Sequence, residues 1–284
     1  MRLWIVPMVL LAAAGCASPI APADRERRPA ASAPAASAPA ASAPAVPATG
    51  RLPATERGGA DGERAYRPGE GLPAAPAARR VNCRRIKCVA LTFDDGPGPY
   101  TRPLLDVLAR HRARATFFVL GRMVVDDGPG TVRRMVAEGH ELGNHSWSHP
   151  VLSELSRARI RWQLLRTQLV VEQATGVRMT VMRPPYGATD LRVTAESRRQ
   201  GLAQVLWNVD TLDWRDRKVS VVVRRAARIR PGSIVLLHDI HPSTVTAVPR
   251  LLRRLAARGY TFVTLSELYG GRPLKPGRKY YNRG

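Results

Sequence analysis

Residues 89–95 read VALTFDD, and this short run is the strongest single clue to the architecture. Its first five residues are apolar or β-branched, which is typical of a short buried strand. Two carboxylates, Asp94 and Asp95, follow at once. In folds built on parallel strands, functional side chains collect where the strands end. The run therefore predicts a strand that delivers two acidic side chains to a site.

Outward from this run, strand-like segments alternate with helical patterns. The predicted strands are Lys87–Phe93, Ala115–Leu120, Glu141–Asn144, Met179–Arg183, Ala203–Val209, Ser233–His238 and Thr261–Leu265. The predicted helices are Arg102–His111, Gly130–Glu138, Ser156–Ala174, Thr189–Gln200, Val219–Arg228 and Thr244–Arg258. About seven strands alternating with helices predict an α/β fold with a parallel sheet, open or closed into a barrel.

Polar side chains recur directly after these predicted strands. The groups are Asp94 and Asp95, His145, Arg183 and Tyr186, Asp210 and Asp213, and His238 and Asp239. Because the ends of parallel strands meet at one edge, we expect these groups to converge. His111 and His140 follow helical patterns instead, and we expect both at the surface.

The segment HSWSH at 145–149 places two imidazoles four residues apart. On a helical turn His145 and His149 would face the same way and could share a metal, although a His pair alone could equally be two surface residues. One Asp with two imidazoles makes a three-ligand site with open positions, an arrangement suited to activating water. The second Asp can then act as a general base, held ionised by Arg183.

With these residues in place, the chain from about 88 to 265 resembles the polysaccharide deacetylase (NodB-homology) domain of carbohydrate esterase family 4. Five motifs of that family occur in order. They are TFDDG at 92–96, HSWSH at 145–149, RPPY at 183–186, DTLDW at 210–214 and IVLLH at 234–238. The visible departure is Ile234, where the family often has Leu. The resemblance implies a distorted (β/α)7 barrel.

The resemblance also implies roles for particular residues. Asp94 matches the general base, Asp95, His145 and His149 match the metal ligands, and Arg183 matches the residue that orients the base. The backbone N–H of Tyr186 matches an oxyanion donor, His238 the general acid and Asp213 its partner, while Trp214 and Leu236 would line the acetyl pocket. The implied cofactor is one divalent ion, expected to be Zn²⁺, with Co²⁺, Mn²⁺ or Ni²⁺ as alternatives.

The N-terminal residues predict export. Arg2 and the apolar run from Leu3 to Ala14 indicate a signal peptide at 1–16, because the run is too short to span a membrane. Its ending, AAGC at 13–16, resembles a lipobox, so Cys16 is predicted to carry a lipid that anchors the protein to the membrane; plain secretion is the alternative. We expect the protein at the outer face of the membrane or in the cell wall.

Composition divides the rest of the chain. Residues 17–80 include three repeats of ASAPA at 31–45 and predict a disordered, semi-rigid tether. Residues 81–270 form the predicted catalytic domain, and 271–284 form a basic tail with no assigned chemistry. In an oxidising setting Cys83 and Cys88, five residues apart, make a natural disulfide pair, with two free thiols as the alternative.

The net charge of +23 favours polyanionic partners, but charge alone does not choose among nucleic acid, wall polymers and lipid head groups. Together with the motifs, it favours an enzyme that removes N-acetyl groups from amino sugars of a cell-wall polysaccharide, such as peptidoglycan N-acetylglucosamine or chitin-like oligomers. We expect a monomer with no nucleic-acid partner. The alternatives are an O-acetyl esterase acting on acetylated xylan and a non-catalytic wall-binding module.

Overall fold

The computed structural model describes residues 79–283. The predicted signal peptide, Cys16 and all but the end of the predicted tether lie outside the described residues. Within 79–283, no helix has the length and apolar character needed to cross a membrane.

Parallel strands form the centre of the fold. They are β1 (Lys87–Asp94), β2 (Thr116–Val119), β3 (Glu141–Asn144), β4 (Val181–Met182), β5 (Ala203–Val205), β6 (Val209–Asp210), β7 (Ile234–His238), β8 (Tyr260–Phe262) and β9 (Lys279–Tyr280). The sheet order is β6-β7-β1-β2-β3-β4-β5-β9, and β8 pairs with the first residues of β1. Every ladder between these strands is parallel. The predicted distorted (β/α)7 barrel is confirmed.

Helices pack around this sheet. They are α1 (Thr101–Arg110), α2 (Gly121–Asp127), α3 (Pro129–Ala137), α4 (Arg157–Thr175), α5 (Leu191–Arg199), α6 (Asp213–Asp216), α7 (Val219–Ala226), α8 (Pro242–Ala256) and α9 (Leu265–Leu268). The longest is α4, which begins after an N-cap, Ser156, and ends at Gly176 in the left-handed conformation. Its buried face carries Ile160, Leu164 and Val171, which are spaced for burial against the sheet.

One predicted strand, Ala203–Val209, is two strands in the structure. The chain leaves β5 after Val205 and joins β7 through β6. Asn208 directs this change, because its side chain accepts a hydrogen bond from the Ile234 backbone N–H at 2.8 Å and donates to Ser233 Oγ. A continuous apolar pattern in the sequence cannot reveal such a change of partner strand.

The C-terminal residues, for which no element was predicted, contribute β9 to the sheet. β9 pairs with β5, and Asn282 forms an antiparallel bridge with Ser233, just before β7. Gly232 permits this approach: at φ 88° it has a left-handed conformation, and a Cβ there would lie 2.0 Å from the carbonyl oxygen of Arg283. The segment therefore spans the interval between β5 and β7.

The entry to β1 is held in two ways. Cys83 and Cys88 form a disulfide bond, as expected from the sequence. Arg79 makes two hydrogen bonds of 2.9 Å to the carboxylate of Glu267, which also accepts from Arg114. These contacts lie at the beginning of β1, whereas the acidic pair lies at its end.

The surface prediction for His140 is wrong. The residue is buried, its Nδ1 accepts a hydrogen bond from the Ala115 N–H at 3.1 Å, and its ring packs edge-on against Phe117. Both contacts come from the segment that forms β2, so burial here depends on tertiary packing. His111 is half-buried.

Candidate active site

The predicted polar residues gather at one end of the barrel. Asp94, Asn144, Asp210 and His238 are the last residues of β1, β3, β6 and β7. Arg183 follows β4 directly. Since these strands run parallel, their last residues share one edge, and the loops beyond them form one mouth.

Asp95, His145 and His149 form a cluster with the geometry of a metal site. Nε2 of His145 and Nε2 of His149 each lie 3.4 Å from Oδ1 of Asp95. Ligand distances of about 2.0–2.1 Å in a tetrahedral zinc site place neighbouring ligand atoms about 3.4 Å apart. Oδ1 of Asp95 is buried and lacks a hydrogen-bond partner among the described residues. The donor set therefore fits a divalent cation.

The charge states of this cluster also fit a cation. Burial by itself would raise the pKa of Asp95, but its interactions with the nearby imidazoles of His145 and His149 hold that pKa well below its usual range. Burial and repulsion by His145 lower the pKa of His149. An ionised carboxylate beside a neutral imidazole is the state that metal binding requires.

Residues 145–149 do not form the helical turn on which two imidazoles four apart would face the same way. His145 and His149 lie in an irregular loop between β3 and α4. Within it Ser146 (φ 71°) and His149 (φ 62°) adopt the left-handed conformation, which is costly for residues other than glycine. The two imidazoles still approach each other, with ring centroids 5.0 Å apart.

The orientation of His145 is set by a backbone carbonyl. Its Nδ1 lies 2.7 Å from the carbonyl oxygen of Arg183. Because a carbonyl oxygen can only accept, Nδ1 carries the proton, and the Nε2 lone pair faces Asp95. Metal-bound histidines usually have such a partner on the other ring nitrogen.

The guanidinium of Arg183 is fully buried and makes four hydrogen bonds. It donates to Asp94 Oδ1 and Thr92 Oγ1, both at 2.7 Å, and to the carbonyl oxygens of Val205 and Leu206. The other oxygen of Asp94, Oδ2, lies 3.6 Å from Nε2 of His145. Asp94 is thus fixed by Arg183 on one side and faces the metal-ligand cluster on the other.

A second acid–imidazole pair lies at the end of β7. Nδ1 of His238 is 2.8 Å from Oδ1 of Asp213. Oδ2 of Asp213 accepts from the His238 backbone N–H and from Thr244. Burial would lower the pKa of His238, but the hydrogen bond and charge of Asp213, with further attraction from Asp94 and Asp95, raise it to about 9. His238 is therefore a cation at neutral pH.

Three further predicted residues border this mouth. Tyr186 has φ 59°, is 68% exposed, and its ring centroid lies 4.6 Å from that of His149. Trp214 is exposed in α6, next to Asp213, and its backbone N–H donates to the Asp213 carboxylate. Leu236 is buried in β7, two residues before His238, so both side chains belong to the same face of the strand.

Several polar residues at the mouth were given no role from the sequence, although Asp239 was among the groups expected to converge there. Asp239 is fully buried, accepts from Thr101 Oγ1, and lies so close to Gly96 that a Cβ there would be 2.4 Å from Oδ2. Burial raises the pKa of Asp239 to about 7. Asn144 and Gln163 bind the loop that carries the two histidines. The sequence did offer one sign of the role of Gln163: it is a polar residue on the buried face of the α4 helix.

Comparison with known proteins agrees with this geometry. The sequence profile of the polysaccharide deacetylase family matches residues 81–205. A chitooligosaccharide deacetylase of Bradyrhizobium is 42% identical over 203 residues, which cover 64% of this chain and 91% of that relative.

The chain belongs to the polysaccharide deacetylase family.

The chain is also similar to other proteins of this family. The peptidoglycan-N-acetylglucosamine deacetylase PgdA of Listeria monocytogenes is 45% identical over 199 residues, which are 69% of this chain and 42% of the relative. The chain thus spans less than half the length of that polysaccharide deacetylase. A solved structure titled T48 deacetylase with substrate has a TM-score of 0.67 and 45% identity, covering 70% of this chain and 99% of the other.

Proposed function

We propose that this protein is an exported, metal-dependent hydrolase that removes N-acetyl groups from amino sugars of a cell-wall polysaccharide. One observation carries the proposal: a three-ligand cation site lies beside an Arg-held carboxylate, Asp94, and shares the mouth with a protonated imidazole, His238. Hydrolysis of an amide needs these three functions together, because the amine is a poor leaving group until it is protonated.

The cation would be held by Asp95, His145 and His149. When bound, a divalent ion such as Zn²⁺ polarises the acetyl carbonyl and lowers the pKa of a water molecule. Three ligands from the protein leave a position open for such chemistry. The cluster offers two nitrogen ligands and one oxygen ligand, a set that suits Zn²⁺. Because the same ligands also suit Co²⁺, Mn²⁺ and Ni²⁺, these ions remain alternatives.

Asp94 is assigned as the general base. Arg183 binds Oδ1 at 2.7 Å and orients the carboxylate, while Oδ2 is directed to the side of the metal ligands. A carboxylate in this position can take the proton from the attacking water. Because the guanidinium is itself held by three further acceptors, the base has little freedom to rotate.

His238 is assigned as the general acid. Asp213 binds Nδ1, so Nε2 of the imidazolium is the nitrogen left to donate a proton. The departing sugar amine would receive it. The backbone N–H of Tyr186 is assigned to the developing oxyanion, and Trp214 and Leu236 to the acetyl pocket. The place of Tyr186 beside His149 supports its role.

The substrate and the location rest on the relatives and on the N-terminal sequence. Listeria PgdA is named for peptidoglycan N-acetylglucosamine and the Bradyrhizobium relative for chitooligosaccharides, which supports an acetylated amino-sugar polymer. A signal peptide with lipidated Cys16 and a tether over 17–80 would hold the enzyme, as a monomer, within reach of the wall. The net charge of +23 would favour anionic wall polymers.

Acetate release from a substrate panel tests the proposal. Zinc-loaded protein is expected to release acetate from peptidoglycan or chitooligosaccharides, and a chelator is expected to stop it. Asp94→Asn should reduce release by about 10²-fold or more, whereas Asp106→Asn, an equivalent change on the exposed part of α1, should have no effect. Release from acetylated xylan alone would favour an O-acetyl esterase, and binding to the polymers without release would indicate a wall-binding module.

A further inference from the structure

The loop that carries His145 and His149 has an unusual pattern of backbone hydrogen bonds. From 146 to 149, four consecutive backbone N–H groups donate to side-chain oxygens rather than to carbonyls. The acceptors are Asn144 Oδ1 for Ser146, Gln163 Oε1 for both Trp147 and Ser148, and Ser146 Oγ for His149. The conformation of the loop therefore depends on which side chains surround it.

Gln163 of α4 is the one acceptor that comes from outside the β3–loop segment. Its side chain is buried, and Oε1 lies 2.8 Å from the Trp147 nitrogen and 3.0 Å from the Ser148 nitrogen. Its Nε2 donates to Ser148 Oγ at 3.0 Å. One side-chain amide thus makes three hydrogen bonds to Trp147 and Ser148, two of the three residues between the imidazoles.

The loop needs such support because its own backbone does not favour this shape. Ser146 and His149 both adopt left-handed φ angles, and the described loop forms no helix that would fix the spacing of the imidazoles. On the opposite side, the carbonyls of Ser146 and Trp147 accept from Gly121 and Arg122 at the start of α2. The loop is therefore clamped between α2 and the Gln163 amide.

We propose that Gln163 is a positioning residue for the metal site, which sets the separation of the two imidazoles without touching the ion. The inference rests on the proposed function, since it concerns the same Asp95, His145 and His149 cluster. Removal of the Gln163 amide would not change the metal-ligand residues themselves. It would allow the loop that carries His145 and His149 to adopt other conformations. The measurable consequence is a loss of affinity for the divalent cation.

Zinc affinity, measured by competition with a chromogenic chelator, tests this role. Gln163→Met, which preserves length and removes all three hydrogen bonds, should weaken zinc binding by about 10-fold to 100-fold, the range typical for groups that support metal ligands. Gln163→Glu should bind zinc within about 3-fold of the wild type, because a carboxylate still accepts both N–H groups. This rescue distinguishes a positioning role from general packing.

Gln168→Met is the matched control. Gln168 is also a buried amide on α4, but its hydrogen bond goes to the Met179 carbonyl rather than to the loop. The Gln168→Met variant should have a lower free energy of unfolding than the wild type when both are measured in the presence of a chelator. Its zinc affinity should be unchanged. If Gln163→Met does not fold, Gln163→Asn keeps a polar side chain too short to reach the loop and should show the same weakened binding.

The outcomes separate the two proposals. Wild-type protein that binds none of Zn²⁺, Co²⁺, Mn²⁺ and Ni²⁺ would overturn the proposed function itself. Wild-type protein that binds zinc, together with Gln163→Met or Gln163→Asn binding it as tightly as Gln168→Met, would overturn the role of Gln163 alone.

Discussion

His238 and Asp213 form a pair in which both oxygens of one carboxylate bind the same histidine, Oδ1 at Nδ1 and Oδ2 at the backbone N–H, each at 2.8 Å. The carboxylate therefore fixes the position of the imidazole as well as its charge. Because Asp213 is buried and also accepts from Thr244, it cannot turn away to solvent. The protonation of His238 should then control activity at alkaline pH.

Deacetylation should decline as the pH rises through about 9, because an acid catalyst with a pKa near 9 loses its proton there. In Asp213→Asn the main cause of the raised pKa is gone, so the decline should begin at least one pH unit lower. The measurement is the pH dependence of kcat for acetate release with zinc-loaded enzyme. An unchanged alkaline limb in Asp213→Asn would assign the acid to another group.

The same pair should make folding stability depend on pH. The folded pKa of His238 is raised from 6.5 to about 9, so its contribution is complete below 6.5 and is lost as the pH rises through about 9. A shift of this size corresponds to at most about 3 kcal/mol. Urea unfolding at pH 6 and pH 9.5 measures the loss, and His238→Gln should show a smaller difference between the two pH values.

Asp94 and Asp95 are adjacent, yet their substitutions should separate metal binding from proton transfer. Asp95→Asn should weaken zinc binding strongly, because Asp95 Oδ1 lies 3.4 Å from both imidazole nitrogens. Asp94→Asn should retain zinc and reduce kcat by about 10²-fold to 10⁴-fold, the usual contribution of a general base. Zinc titration and initial rates on both variants check this. Loss of zinc from Asp94→Asn would contradict the division.

Arg183→Met should be among the most destabilising single changes at the site. It would leave the buried carboxylate of Asp94 without the guanidinium that pairs with it. The carbonyl oxygens of Val205 and Leu206 would also lose the hydrogen bonds that Arg183 donates to them. Breaking a buried pair in this way costs about 3–5 kcal/mol. Urea unfolding measures it, and Arg161→Met, which removes one partner of Glu196 but leaves the second, Arg199, should change stability much less.

The disulfide should matter for stability but not for catalysis. It joins residues five apart, and closing so short a loop is worth about 2 kcal/mol in the chain-entropy description. Cys88 lies near the start of β1, whereas Asp94 is its last residue. Cys83→Ser with Cys88→Ser should therefore lower the unfolding free energy and leave kcat within about 2-fold of the wild type. A large loss of kcat would show that the two ends of β1 are coupled.

The strand ends could be predicted from the sequence because strand periodicity is local. The strand predicted to end at Phe93 ends one residue later, at Asp94, the strand ending at His238 ends as predicted, and the polar groups at these ends meet at one mouth. The loop at 145–149 could not be predicted, because its shape depends on Gln163 and on the start of α2, which lie outside the loop in sequence. The same holds for β9, whose two residues form a strand only against β5.

Arg183 supports both halves of the site, since its carbonyl orients His145 and its guanidinium holds Asp94. A backbone shift that accommodates an ion of different radius would therefore carry the base with it. Exchanging zinc for the larger Mn²⁺ would then change the position of the base as well as the Lewis acidity of the metal. Differences in turnover among metal-substituted forms would report on both effects at once.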